Sequence, residues 1–181
     1  MATPTVVRAG LFALAIVALG FVPGVLGANS PSAKGKGDFM MNGNLRTFSF
    51  HAIKHQNGDV TGQAKVHNLA SGTVVHMAID CLSLVTTNTV LVSGTITDSN
   101  VSSLVGQTGV FEAQDNGKGT KDKGEGTNDN VEGTNDNRAG SDSPPDRLSL
   151  LFAFPADSTN CLSDLTLDTF PIDHGNIRVR P

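Results

Sequence analysis

Histidines and regularly spaced aspartates are the side chains here whose type and spacing first suggest chemistry. Thr61–Leu69 and Thr73–Leu82 are alternating segments that flank Ser71-Gly72. A two-residue turn there pairs His67 directly with His76, with β-carbons about 4.5–5.5 Å apart. Two neutral imidazoles at that separation can share a zinc or copper ion. A stable site takes three or four ligands, and the neighbours across the strands are Thr47 and, two rungs away, Asp80. Farther on, Asp122, Asp129 and Asp136 recur every seven residues beside Asn and Gly, an oxygen-rich pattern of the kind calcium uses. No Glu closes a twelve-residue loop, and the nine-residue glycine-rich calcium repeat is absent. No metal site is therefore assigned. His67, His76, Asp115, Asp129 and Asp136 are the residues from which one would be built.

Asp115 and Asp146 bracket the aspartate repeat, and their carboxylates can approach at its base. Such a pair can do acid–base work, although hydrogen bonding to a turn is the commoner use of Asp in that setting. Gly-x-Ser-x-Gly, His-Glu-x-x-His and Ser-x-x-Lys are all missing. No catalytic residue and no cofactor is expected. Asn100-Val-Ser102 matches a glycosylation acceptor, which matters only in a eukaryotic secretory route.

The elements that must position these residues are short strands. The chain has 181 residues, 38% hydrophobic and 17% charged, which suits a globular domain. Its net charge of −4 excludes a basic nucleic-acid footprint as the organising feature. The absence of Trp and Tyr removes the flat rings that most sugar- and base-stacking sites use.

Residues 1–28 read as a secretory signal, with Arg8 in the n-region and Leu11–Leu19 as the apolar h-region. Pro23-Gly24 interrupts any helix, and small residues at Gly27 and Ala28 suit cleavage, best placed after Gly27. The competing reading is an uncleaved anchor, since Ala9–Leu26 carries no charge. Signal cleavage would deliver a secreted, extracellular protein, or a periplasmic one in a cell with two membranes. In that oxidising setting Cys81 and Cys161, the two cysteines of the chain, are expected to form a disulfide. Closing so long a loop contributes about 4–5 kcal/mol in the chain-entropy model.

Residues 29–38 read as a flexible lead-in without apolar period. The β-domain is expected over 39–181. A three-residue loop, Gln56-Asn57-Gly58, pairs Phe48 with Val66 and Phe50 with Ala64. It also puts Gly58 where a left-handed residue is wanted. A two-residue turn would instead expose both Phe side chains, at roughly 1.5–3 kcal/mol each. The hairpin around Ser71-Gly72 then sets Ala64, Val66, Val75, Met77, Ile79 and Cys81 on the core face. Lys65, His67, His76 and Asp80 fall on the other face. Val90–Ile96, Val110–Gln114, Leu148–Phe154 and Ile177–Val179 alternate likewise. Leu148, Leu150, Phe152 and Phe154 are expected on one face. Six to nine strands follow, so the fold class is all-β: a single small antiparallel barrel or a two-sheet sandwich. Pairing of the C-terminal strand with the first would protect the edges.

Residues 118–145 interrupt this domain as a low-complexity run of sevens, including the near-identical Glu125–Val131 and Glu132–Arg138. It is expected to be a long disordered hairpin loop, because it has almost no apolar side chains to bury.

Four stretches carry a family likeness: Val75–Leu82 with its Cys-Leu pair, Val92–Ile96, Phe111–Gly117 leading to Pro144–Leu150, and Gly175–Val179. With a Cys in the third strand, an Asp-Asn-Gly turn and a Pro-Pro-Asp strand start, residues 39–181 resemble a group of small exported bacterial β-domains of uncharacterised activity. In that group the last two elements lie close together, so the resemblance implies that the heptads are an insertion. It supplies no catalytic residue. The functional expectation is a non-enzymatic exported binding or surface-associated module. The alternatives are a barrel carrying a small apolar ligand, or a metal module using the His67/His76 pair or the acidic loop.

The exported protein is expected to begin at Ala28 and to be lighter by two hydrogens than its reduced form. Intact-mass spectrometry checks both, and a retained Met1 would overturn the signal reading.

Overall fold

The computed structural model describes residues 30–117 and 144–181. The signal-like segment 1–28 lies outside the described residues, as does the repeat except for Pro144 and Pro145. Among the described residues there is no α-helix; one 3-10 turn, Ser102–Leu104, interrupts an all-strand chain. The strands are β1 (Ser32–Met41), β2 (Asn44–Lys54), β3 (Val60–Asn68), β4 (Thr73–Leu84), β5 (Thr89–Ser99), β6 (Thr108–Gln114), β7 (Arg147–Ser149), β8 (Phe152–Phe154), β9 (Thr169–Pro171) and β10 (His174–Arg180).

They form one curled antiparallel sheet in the order β10-β1-β2-β3-β4-β5-β6-β7-β9, with β8 also on β6. This is a half-barrel, not a two-sheet sandwich. Its concave side holds Phe39, Phe48, Phe50, Met77, Ile79, Val92, Phe111, Leu148 and Ile177, all buried. The phenyl rings run in a chain: Phe39–Phe48 at 6.3 Å, Phe48–Phe50 at 6.3 Å and Phe50–Phe111 at 5.1 Å between centroids. Each buried ring contributes roughly 1.5–3 kcal/mol.

The β2–β3 register is as expected. Phe48 faces Val66 and Phe50 faces Ala64. Gly58 has φ +91° in the three-residue loop, a conformation that glycine adopts without steric cost.

Four expectations change. The lead-in 29–38 is largely strand, because β1 begins at Ser32. Its inward residues are Ala33, Gly35 and Gly37, too small to register as an apolar period. They are small because the Phe rings lie over them: a Cβ on Gly35 would sit 2.6 Å from Phe50 Cε1. Second, β3 and β4 are joined by four residues, Leu69–Gly72, so Asn68 pairs with Thr73. Asn68 Oδ1 accepts Ala70 N–H at 3.1 Å, which starts the turn earlier than Ser71. A slip of two keeps every side chain on its face.

Third, the register of β4 against β5 shifts between Ile79 and Cys81, so Leu82 points into the core and Cys81 points out. Fourth, the expected strand 148–154 breaks at Leu150-Leu151, both of which pack on the core. Its register on β6 advances by one residue there. Phe152 is therefore 37% exposed, and Phe154 packs on the outer side. Ser149 Oγ spans the break, accepting Glu112 N–H at 2.8 Å and donating to Leu150 O at 2.8 Å.

That outer side has a small core of its own. Leu91, Val110 and Cys161 are buried under the irregular segment after β8, with Leu165 and Leu167 against them. The Cys81–Cys161 disulfide staples this segment to the sheet, with a Cα–Cα distance of 5.7 Å. Cys161 N–H also donates to the buried Ser93 Oγ at 2.9 Å.

The C-terminal segment joins the two ends of the sheet. β9 pairs with β7, and after two residues β10 pairs with β1. At the corner between them, Ile172 N–H donates to Asp146 O and Asp173 N–H to Asp38 O, both at 2.9 Å.

Replacing residues 118–143 with a short glycine linker is expected to change unfolding free energy by no more than about 1 kcal/mol, because loop closure depends weakly on length. Urea denaturation measures this. A loss of several kcal/mol would show that the heptads hold the fold.

Candidate functional site

The inward positions of β1–β4 change character along the strands. Towards one end lie Phe39 on β1, Arg46 on β2, Asn68 on β3 and Thr73 on β4, paired in sequence across the sheet. Arg46, Asn68 and Thr73 are half-buried. One step inward lie Phe48, Val66 and Val75, then Phe50, Ala64 and Met77, and all but Val66 of these six are buried. On β2–β4 exposure falls from that end inward, while on β1 Phe39 is buried.

A cavity of about 280 Å³ occupies this face. Phe39, Phe48, Phe50 and Phe111 line it together with Ile96, Leu148, Leu150 and Leu151, and with Leu104 of the 3-10 turn. The Leu150-Leu151 irregularity is what turns two consecutive leucines to it. Among the described residues Arg46 is the one ionisable side chain in its lining. Apolar walls with a few polar groups at one end are the usual make-up of a small-molecule pocket.

The metal expectations come apart. His67 lies opposite Val74, and His76 lies opposite Lys65, because of the two-residue slip in β3–β4. Among the described residues no group of three His, Cys, Asp or Glu is arranged to hold a metal ion. Asp129 and Asp136 lie outside the described residues.

Asp115 and Asp146 do meet at the base of the insertion, with backbone amides as partners. Asp146, fully buried, accepts Asn116 N–H on Oδ1 and Ile177 N–H on Oδ2, both at 2.8 Å. Asp115 accepts Gly117 N–H on Oδ1 and Val179 N–H on Oδ2, both at 2.9 Å. Asn116 Nδ2 donates to Pro145 O at 2.7 Å, closing the base. Ile177 and Val179 point their amides to the β10 edge away from β1, since alternate N–H groups face opposite edges. The carboxylates stand where a further strand would. Asp115 thus serves the turn and the sheet edge.

Among the described residues two carboxyls are raised from their ordinary values. Asp80 is raised by burial and by nearby Asp157, against its own backbone hydrogen bond. Glu112 is raised by burial alone. Neither lines the cavity. Asn100 Oδ1 accepts Val74 N–H at 2.9 Å, and its Nδ2 donates to Gly72 O at 2.8 Å, so the amide a glycan would take already fastens the β3–β4 turn.

Sequence reasoning passed over Arg46. The signal was present, because Arg46 has the same parity on β2 as Phe48 and Phe50 and so must face inward. Compared with family models, curated proteins and solved structures, the chain shows no match. What it does must be read from its own geometry.

Asp146→Ala is expected to cost about 2–4 kcal/mol, because it orphans one buried and one part-buried amide, at roughly 1–3 kcal/mol for a buried one. Asp115→Ala, on a half-buried residue, is expected to cost about half as much. Urea unfolding of both variants measures this. Equal, near-zero losses would remove the clamp from the account.

Proposed function

We propose that this protein is a non-enzymatic binding module that takes a small apolar molecule into the concave face of its curled sheet. The observation that carries this is the cavity of about 280 Å³ lined by the Phe chain and Leu148–Leu151. A core built only for stability would fill that space, because interiors pack to crystal-like density and voids larger than a water are few. The absence of nucleophile and metalloprotease motifs supports binding over turnover. The signal-like segment 1–28 and the disulfide support action outside the cytoplasm, in a secreted or periplasmic setting.

Nile red, a neutral apolar dye, is expected to brighten on saturable one-to-one binding. Val66→Phe, which fills the cavity from β3, is expected to weaken binding at least tenfold while circular dichroism shows the sheet intact. Overpacking of this kind costs roughly 1–3 kcal/mol, so thermal unfolding is followed alongside. Absence of saturable binding to the wild-type protein, or unchanged binding by folded Val66→Phe, would overturn the reading.

A further inference from the structure

Resting on the pocket reading above, we infer that the ligand is an anionic amphiphile, a monocarboxylate with one short unbranched hydrocarbon chain, whose carboxylate pairs with Arg46. At about 280 Å³ the cavity lies just below the ~300–1,000 Å³ usual for ligand pockets, which suits a single chain better than fused rings. Its walls are phenyl and aliphatic, and no Asp or Glu lines it. The one charge in its lining is positive.

Arg46 is arranged to receive an anion. One terminal nitrogen, Nη1, donates to Met41 O at 3.3 Å and to Asn44 O at 3.2 Å, both backbone carbonyls of the β1–β2 turn region. These bonds orient the guanidinium without neutralising it. Among the described residues Arg46 forms no ion pair. Nε–H and the other terminal nitrogen, Nη2, have no hydrogen-bond partner among the described residues. Those two donors form one edge of the guanidinium, the edge on which a carboxylate makes two parallel bonds. Arg46 is half-buried, so such a pair would be shielded from water more than a surface pair is. Asn68 and Thr73 continue the polar end across β3 and β4. The hydrocarbon tail would run inward over Phe48 and Val66 towards Phe50 and Phe111.

Isothermal titration at neutral pH with decanoate, 1-decanol and decyltrimethylammonium separates head-group choice from burial of the tail. The wild-type protein is expected to bind decanoate at least tenfold tighter than decanol, and decyltrimethylammonium more weakly than either. Arg46→Gln is expected to bring decanoate down to the affinity of decanol while decanol binding stays unchanged, which also shows that the variant is folded. Arg46→Lys keeps the charge but loses the two-donor edge, and is expected to recover only part of the preference. Equal affinity for decanoate and decanol in the wild type, or a preference that survives in Arg46→Gln, would overturn the inference and leave the apolar pocket standing. Failure of all three to bind would remove the pocket reading and the inference together.

Discussion

The curled sheet depends on how its last strand is held along the edge that no strand covers. A half-barrel leaves backbone amides unpaired at its seam, and each buried unpaired amide costs roughly 1–3 kcal/mol. Here two carboxylates supply the acceptors. Asp146 and Asp115 each take one amide of β10 and one of the turn at the base of the insertion. Hydrogen bonds to charged acceptors are stronger than neutral ones, so two side chains can do what a short strand would. One clamp therefore holds the C-terminus and anchors the two points where the inserted repeat leaves and rejoins the domain.

The other half of the architecture depends on breaks in regular alternation. In an uninterrupted strand Cys81 would point inward and could not meet Cys161. The extra residue between Ile79 and Cys81 turns the sulfur outward, where the disulfide holds a second apolar layer over Leu91 and Val110. The break at Leu150-Leu151 sends two leucines into the concave face and releases Phe152 and Phe154 to the outer one. The first break builds the outer layer, and the second shapes one wall of the cavity while also feeding that layer. Both faces of β5 and β6 are thereby buried, which is why Val90–Gly94 is a run of buried residues without alternation.

The glycines of β1 leave room for the rings of Phe48 and Phe50, which approach that strand closely and line the cavity. The polar end of the cavity arises from β2 and β3 running on past the aromatic rows, which carries Arg46 and Asn68 onto the inward face. An arginine there costs desolvation that a purely structural position would not need.

Two-residue periodicity in the chain by itself determined the strand class, the Phe-rich inward face and the β2–β3 register with its Gly58 turn, and the cysteine count with the signal-like segment pointed to the Cys81–Cys161 disulfide. These are legible because alternation and turn chemistry are local, and because one cysteine pair leaves one connectivity. The β3–β4 register was not legible: a slip of two positions preserves every face, so the hydrophobic pattern cannot tell His67 opposite His76 from His67 opposite Val74. Strand β1 was hidden because its inward residues are small to suit rings that come from another strand. Only the tertiary structure decided where the strands bulge, that Asp115 and Asp146 act as a backbone clamp, and that Arg46 borders an unfilled apolar space. Those outcomes depend on side-chain volumes and amide groups brought together from distant parts of the chain, and no local pattern encodes such meetings.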